Sequence, residues 1–201
     1  MTRQLALPLQ PPPAPTLDNF VPGRNVELLA RLREMRAGRA AEAVLYLWGS
    51  PGCGRSHLLR ASAPGGVTLA DDVERLDEPA QIELFHAINR ARESGGAVLA
   101  AGPLPPAQLP LREDLRSRLA WGLVYEVLPL TDEERMVYLL GEAARRGMRL
   151  SDEVAGYLLA RVRRDMASLG AILDHLDRES LERHRTVTLP LVREALRTLP
   201  S

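Results

Sequence analysis

The sequence predicts an α/β fold with a parallel sheet, followed by a small all-α bundle. Between residues 17 and 130, short apolar runs alternate with segments of helical periodicity, as in the strand–helix–strand units that build parallel sheets. From residue 131 to 201 only helical periodicity remains. Residues 1–16 are rich in proline, so they are predicted to form an extended, flexible tail.

Four strands are predicted from nearly continuous apolar runs, which are typical of strands buried on both faces of a sheet. A helix over residues 25–37 precedes the first strand, and a crossover helix over residues 79–93 separates the second from the third. Because such crossovers are right-handed, these elements predict one parallel sheet. The strand runs are Val44–Trp48, Val67–Ala70, Ala97–Ala101 and Leu123–Val127.

Three to four helices are predicted after residue 131. Thr131 and Glu134 have the spacing of a capping box, and Ser151 precedes a second acidic helix start. A last helix is predicted to begin near Thr188. The apolar stripe of the third helix consists of Met166, Leu169, Leu173 and Leu176.

The composition excludes several classes of function. The 26 Lys plus Arg residues are balanced by 26 Asp plus Glu residues, so the chain lacks the basic excess with which proteins hold nucleic acids. Cys53 is the single cysteine and cannot form an internal disulfide. No apolar run approaches the roughly 20 residues that span a bilayer. We therefore expect a cytoplasmic protein that has no membrane contact and does not bind nucleic acid by itself.

The sharpest motif follows the first strand directly. Residues 49–56 read GSPGCGRS, which fits the phosphate-loop pattern except that Arg55 stands where Lys is usual. Glycines let successive backbone N–H groups point into one concavity, to which the following helix adds its positive end. The alternative is a glycine-rich turn that binds nothing. The predicted nucleotide-binding residues in this loop are Gly49, Gly52, Gly54, Arg55 and Ser56.

Carboxylates after the second strand are candidate magnesium ligands. Asp71 and Asp72 follow the apolar run directly, so they are placed at the carboxyl edge of the sheet. We expect Asp71 and the hydroxyl of Ser56 to hold Mg²⁺, and Asp72 to polarise an attacking water. Acidic pairs are common at strand ends, so this prediction depends on the phosphate loop that precedes them.

Two arginines are candidates for contact with a phosphate. Arg118 precedes the last strand, and Arg164 lies at the start of a helix in the bundle. From spacing alone, a solvated surface residue is the better interpretation of each.

The order of these motifs resembles that of the AAA+ ATPases, and more narrowly that of their DnaA-related branch. Residues 17–25 resemble the segment that borders the adenine in that branch. Within it the likeness is greatest to the Hda family of DnaA inactivators, which also tends to have Arg before the Ser of the phosphate loop. The other motifs that carry the resemblance are Gln4–Leu9, Asp71-Asp72, Ser117-Arg118-Leu119, Trp121-Gly122 and Arg164-Asp165-Met166.

The resemblance implies a role for each arginine. Arg118 would be an arginine finger offered to a nucleotide held by DnaA, and Arg164 a lid arginine that senses phosphate. The bound nucleotide would be ADP or ATP with Mg²⁺. Only 10 residues lie between Ser56 and Val67, where the family normally has a further strand and helix, so an edge strand with its covering helix is predicted to be missing.

The tail resembles the motif with which that family docks on the sliding clamp, the β subunit of DNA polymerase III. The amide of Gln4 would enter a polar slot, and Pro8 would limit the conformations lost on binding. The alternative is that the leucines pack back on the chain's own sheet. The apolar side chains offered to the clamp would be those of Leu5, Leu7 and Leu9.

The resemblance therefore predicts a regulatory inactivator of DnaA that docks on the DNA-loaded clamp, promotes hydrolysis of DnaA-bound ATP and prevents re-initiation of replication. Autonomous enzyme activity is expected to be low, because Arg55 replaces Lys and the strand ending at Gly102 has no polar side chain there. The alternatives are a free-standing AAA+ ATPase, such as a helicase loader, and a DNA-binding regulator. Monomer and homodimer both remain open.

Overall fold

The computed structural model describes residues 14–63, 66–162, 165–183 and 187–198. Contacts divide these residues into two compact units, 14–129 and 130–198. Each unit has its own hydrophobic core. None of the helices among these residues is both long and apolar enough to cross a bilayer.

Strands and helices alternate in the described part of the first unit. Two short 3-10 turns, Val73–Arg75 and Pro106–Gln108, follow the second and third strands. The predicted α/β class is confirmed, and each observed strand end lies within one residue of the predicted end. In chain order the elements are α1 (Val26–Arg36), β1 (Val44–Trp48), α2 (Arg55–Ser62), β2 (Thr68–Ala70), α3 (Glu78–Ser94), β3 (Val98–Gly102), α4 (Glu113–Ala120) and β4 (Leu123–Glu126).

The four strands described form one parallel sheet in the order β2-β3-β1-β4. β1 lies inside, with Trp48 opposite Gly102 of β3 and opposite Glu126 of β4. β2 is a three-residue edge strand paired with β3, as expected if the outer strand of the family pattern is missing. Because all strands are parallel, their carboxyl ends meet at one edge of the sheet, where ligands of such folds bind.

Alternate side chains of β1 enter the two cores on opposite faces of the sheet. Leu45 and Leu47 pack with helices α1 and α2. Val44 and Tyr46 pack with helices α3 and α4. All four are at most 2% exposed, and this two-sided burial explains why the strand reads as an unbroken apolar run.

Gly122 brings the end of α4 close to β1. A Cβ atom at this position would lie 2.0 Å from the carbonyl oxygen of Val44 and 2.7 Å from its Cβ. No side chain fits in that space, so glycine is required where the chain turns from α4 into β4. The neighbouring Trp121 is 55% exposed.

The described part of the second unit is a bundle of four helices, α5 (Asp132–Arg145), α6 (Asp152–Leu159), α7 (Met166–Arg183) and α8 (Leu189–Thr198). The predicted capping box is present: Thr131 Oγ1 accepts from the Glu134 amide at 3.2 Å, and the Glu134 carboxylate accepts from the Thr131 amide at 2.7 Å. Ser151 caps α6 as predicted. The predicted stripe on α7 supplies three fully buried core residues, Leu169, Leu173 and Leu176.

Candidate nucleotide site and arginine groove

The phosphate-loop residues form the turn between β1 and α2. Gly52 and Gly54 have φ angles of +80° and +106°, a backbone region that residues with a Cβ rarely adopt. Gly54 precedes the first residue of α2, and its carbonyl oxygen accepts the Leu58 amide at 3.0 Å. The amide of Cys53 donates to the carbonyl oxygen of Ser50 at 3.2 Å and closes the turn. The backbone therefore favours glycine at Gly54, which the motif specifies, and also at Gly52, where the motif accepts any residue.

Close packing holds the loop from two sides. A Cβ on Gly54 would lie 2.7 Å from Cε2 of Phe20, and one on Gly49 would lie 2.8 Å from the carbonyl oxygen of Val127. The latter would also lie 3.0 Å from Sγ of Cys53. Burial raises the pKa of the Cys53 thiol, so this residue acts as a small buried filler of the loop.

The segment over residues 16–25 is fastened to α2 and to the end of β4. His57 Nε2 donates to the carbonyl oxygen of Thr16 at 2.9 Å. The side-chain amide of Asn25 donates to the carbonyl oxygen of Leu128 and accepts from its N–H, both at 2.8 Å. The segment that the resemblance assigns to the adenine thus lies beside the first turn of α2.

Arg55 is the cation of the loop and the first residue of α2. Its Nη1 atom is buried and has no hydrogen-bond partner among the described residues. A buried donor without an acceptor is costly, and a phosphate oxygen is a strong acceptor for a guanidinium. Together with the glycine backbone, this nitrogen fits a bound nucleotide phosphate.

Tyr46 and Glu74 share the electrostatic environment of Arg55. Burial raises the pKa of the Tyr46 phenol, the positive charge of Arg55 opposes this, and the negative charge of Glu74 adds to it. The phenol donates to the carbonyl oxygen of Leu104 at 2.9 Å. In the part of the chain that is described, Glu74 Oε2 is a second buried atom without a partner. Sequence reasoning missed both groups, since Tyr46 lies inside an apolar run.

The end of β3 lacks a polar side chain because Tyr46 fills the space beside it. A Cβ on Gly102 would lie 2.3 Å from the Tyr46 hydroxyl oxygen and 3.2 Å from Cγ2 of Val73. A larger residue at Gly102 would have to displace the phenol. The phenol hydroxyl is therefore the polar group nearest this strand end.

Asp71 follows β2 and is exposed, and its Oδ1 accepts the Asp72 amide at 3.0 Å. Asp72 has φ +47°, and its carboxylate lies 3.8 Å from Nη1 of Arg75. Within the described ranges, no three His, Cys, Asp or Glu side chains form a metal-binding cluster. Mg²⁺ held by Ser56 and Asp71 would therefore depend on phosphate oxygens for further ligands, as is usual for this ion.

Arg118 lies on α4 between two aromatic rings. Its guanidinium carbon is 3.7 Å from the ring centroid of Trp121 and 5.3 Å from that of Phe85. Its Nη1 atom is buried and finds no hydrogen-bond acceptor in the described part of the chain. Arg118 lines a groove of about 440 Å³ together with Asn89, Arg92 and Glu93.

Arg92 contacts the same tryptophan and was missed by sequence reasoning. Its guanidinium carbon lies 4.7 Å from the Trp121 ring centroid. The available signal was the spacing of Phe85, Asn89 and Arg92 on α3, which places the three on one face of the helix.

Several predicted site residues lie outside the described residues, so their roles stay predictions. They are the lid arginine Arg164 and the clamp-binding tail residues Gln4, Leu5, Leu7, Pro8 and Leu9.

Solved structures similar to this chain are initiators and other AAA+ proteins. Domain III of DnaA from Thermotoga maritima matches with 21% identity and a TM-score of 0.74, over 92% of this chain and 97% of that chain. AMPPCP-bound DnaA from Aquifex aeolicus matches with 22% identity and a TM-score of 0.71, over 85% of this chain and 68% of that chain. A RuvB mutant from Thermotoga maritima matches with 17% identity and a TM-score of 0.70, over 92% of this chain and 72% of that chain. These likenesses show an AAA+ fold.

The helical unit gives the more specific result. The family model described as "Hda, lid domain" matches residues 132–196. Residues 132–196 thus resemble an Hda lid domain, and the fold of the chain is similar to that of DnaA. The Hda lid match begins at the first residue of α5 and ends within α8, so it spans the helices of the second unit. The predicted resemblance to the Hda type of DnaA-related AAA+ protein is thus confirmed.

Proposed function

We propose that the chain is a DnaA-related replication regulator that inactivates DnaA by promoting hydrolysis of DnaA-bound ATP. The match of residues 132–196 to the Hda lid domain carries this proposal. The DnaA-like fold supports it, and an arginine finger supplied in trans accelerates hydrolysis of a nucleotide that another protein holds. The chemistry takes place in the partner's site, so this chain is an activator rather than an autonomous enzyme.

The proposal includes a nucleotide bound by the chain itself. Structures of DnaA with AMPPCP support this, since they hold a nucleotide on a similar fold. Gly49, Gly52 and Gly54 would direct backbone N–H groups to its phosphates, and Arg55 would supply the positive charge. Ser56 and Asp71 would hold Mg²⁺, and Arg164 would contact a phosphate from the lid. A bound nucleotide supplies the anionic oxygens that this set of donors lacks.

Replacing Arg55 with alanine should weaken binding of ADP at least about tenfold, because a charge-assisted hydrogen bond to phosphate is lost. The measurement is a fluorescence titration of the full chain with a labelled ADP. Arg60→Ala is the matched control, since Arg60 lies on the same helix and is exposed. Equal affinity of the Arg55 and Arg60 variants would remove Arg55 from the proposed site.

Arg118 is the proposed arginine finger. A guanidinium placed against ATP in a partner stabilises the charge that develops on the transferred phosphoryl group. The Arg118 side chain contacts Trp121 and Phe85, and no carboxylate in the described part of the chain forms an ion pair with it. Such pre-organisation lowers the entropy lost when the finger meets its target.

The clamp would bring this regulator to DNA. A chain with formal net charge +0 gains little from direct phosphate contacts, and a tail on a DNA-loaded clamp raises its effective concentration near DnaA. The tail would act as an extended peptide with one amide anchor and several apolar anchors.

Gln4→Ala should reduce retention of the full chain on immobilised sliding clamp about tenfold, because the amide anchor and its hydrogen bonds are lost. A pull-down with purified clamp measures this. Gln10→Ala removes the same side chain just outside the motif and should bind like the unmodified chain. If the unmodified chain is not retained, the clamp-docking part of the proposal is wrong.

A free-standing AAA+ ATPase, such as a helicase loader, is the second candidate, because the glycine backbone of the phosphate loop is intact. Turnover by the chain alone distinguishes the two functions. The filled space beside Gly102 and the exchange of Lys for Arg55 favour little turnover without DnaA.

A further inference from the structure

Two arginines share one tryptophan ring. The guanidinium carbons of Arg92 and Arg118 lie 4.7 and 3.7 Å from the Trp121 ring centroid. They are therefore no farther from each other than the sum of these distances. Both arginines also line the groove of about 440 Å³, although one is on α3 and the other on α4.

Neither guanidinium is neutralised by an ion pair with a carboxylate among the described residues. Glu93 is the one acidic residue in the groove lining. Glu42 lines a neighbouring cleft of about 400 Å³, which also contains Arg92 and Trp121. Like charges repel each other, and a phosphate that contacts both guanidinium groups would relieve this repulsion.

Trp121 contacts both arginines at the surface. Tryptophan is the aromatic residue that binds cations best, and this residue is 55% exposed. Both guanidinium groups thus lie against one aromatic ring that a partner can reach.

We propose that Arg92 and Arg118 together bind the terminal phosphate of a nucleoside triphosphate held by a second protein. This inference rests on the proposed function, in which Arg118 faces ATP in DnaA. Each planar guanidinium offers a fork of donors that matches phosphate oxygens. A terminal phosphate has enough oxygens to accept hydrogen bonds from two guanidinium groups, whereas both oxygens of a single carboxylate are used by one bidentate guanidinium. Arg92 would be a binding residue that stabilises the complex with the triphosphate form.

The test measures the affinity of the full chain, in the presence of DNA-loaded clamp, for DnaA loaded with AMPPCP and for DnaA loaded with ADP. Arg92→Ala should weaken the AMPPCP complex about tenfold and leave the ADP complex nearly unchanged. Arg90→Ala is the matched control, because Arg90 is exposed on the same helix. Tryptophan fluorescence in urea checks that the variants are equally stable.

Two outcomes would overturn the inference. If Arg92→Ala behaves like Arg90→Ala, Arg92 does not bind the partner. If Arg92→Ala weakens both complexes equally, its ligand is an acidic group of the partner protein rather than the terminal phosphate. The rate of DnaA-bound ATP hydrolysis that the chain stimulates separates this test from the proposed function. If Arg118→Ala abolishes the stimulation and Arg92→Ala has no effect on binding, only the two-arginine site is wrong. If Arg118→Ala stimulates hydrolysis fully, the proposed function itself is wrong.

Discussion

Arg118→Ala should abolish the hydrolysis of DnaA-bound ATP that the chain stimulates, while binding to the sliding clamp stays intact. A guanidinium supplied in trans accelerates phosphoryl transfer roughly 10³- to 10⁵-fold, so the stimulated rate should fall at least about 10³-fold. The measurement is single-turnover conversion of DnaA-bound ATP to ADP with clamp, DNA and the full chain. Arg118→Lys should rescue little, because an ammonium lacks the planar fork of a guanidinium.

Arg116→Ala is the control for this experiment. Arg116 lies on the same helix, two residues away, and its guanidinium donates to the carbonyl oxygen of Ala107 at 3.5 Å. The Arg116 variant should stimulate hydrolysis normally. A loss of clamp binding that parallels the loss of hydrolysis in Arg118→Ala would count against a trans-acting finger, since a general loss of structure explains both.

Gly122→Ala should lower the free energy of unfolding of the first unit by about 3 kcal/mol or more, because overpacking against backbone cannot relax through side-chain movement. The added Cβ would lie 2.0 Å from the carbonyl oxygen of Val44. Val44 belongs to the central strand, so the strain acts on the middle of the sheet. Urea unfolding followed by tryptophan fluorescence measures the effect, since both tryptophans, Trp48 and Trp121, lie in this unit.

Gly96→Ala is the matched control in the same unit. Its Cβ would lie 3.4 Å from Cα of Ala91, which is ordinary contact, so the free energy of unfolding should change by less than about 1 kcal/mol. Similar unfolding midpoints for the Gly122 and Gly96 variants would show that the turn into β4 has room for a side chain.

The fold class and the left-handed glycines of the turn after β1 were predictable because their signals are local. A strand buried on both faces must be apolar at every position, as Val44–Trp48 is. Left-handed backbone is nearly reserved for glycine, so Gly52 and Gly54 mark the loop in sequence. The capping box of Thr131 and Glu134 is likewise a matter of spacing along one turn of helix.

The arginine groove was not predictable, because its parts meet only through packing. Arg92 on α3 and Trp121 after α4 are distant in sequence, and no sequence pattern indicates that they are in contact. The phenol of Tyr46 reads as part of an apolar run, yet its hydroxyl fills the space beside Gly102.

Local backbone preference and apolar periodicity were therefore enough to indicate the α/β core, the glycine-rich turn after β1 and the helical bundle, because each depends on residues close together in the chain. Which polar groups share a site depended on the register of the parallel strands and the packing of α3 against α4. Those contacts join residues from separate elements, so only the folded chain brings Arg92 and Arg118 into one groove and against the ring of Trp121.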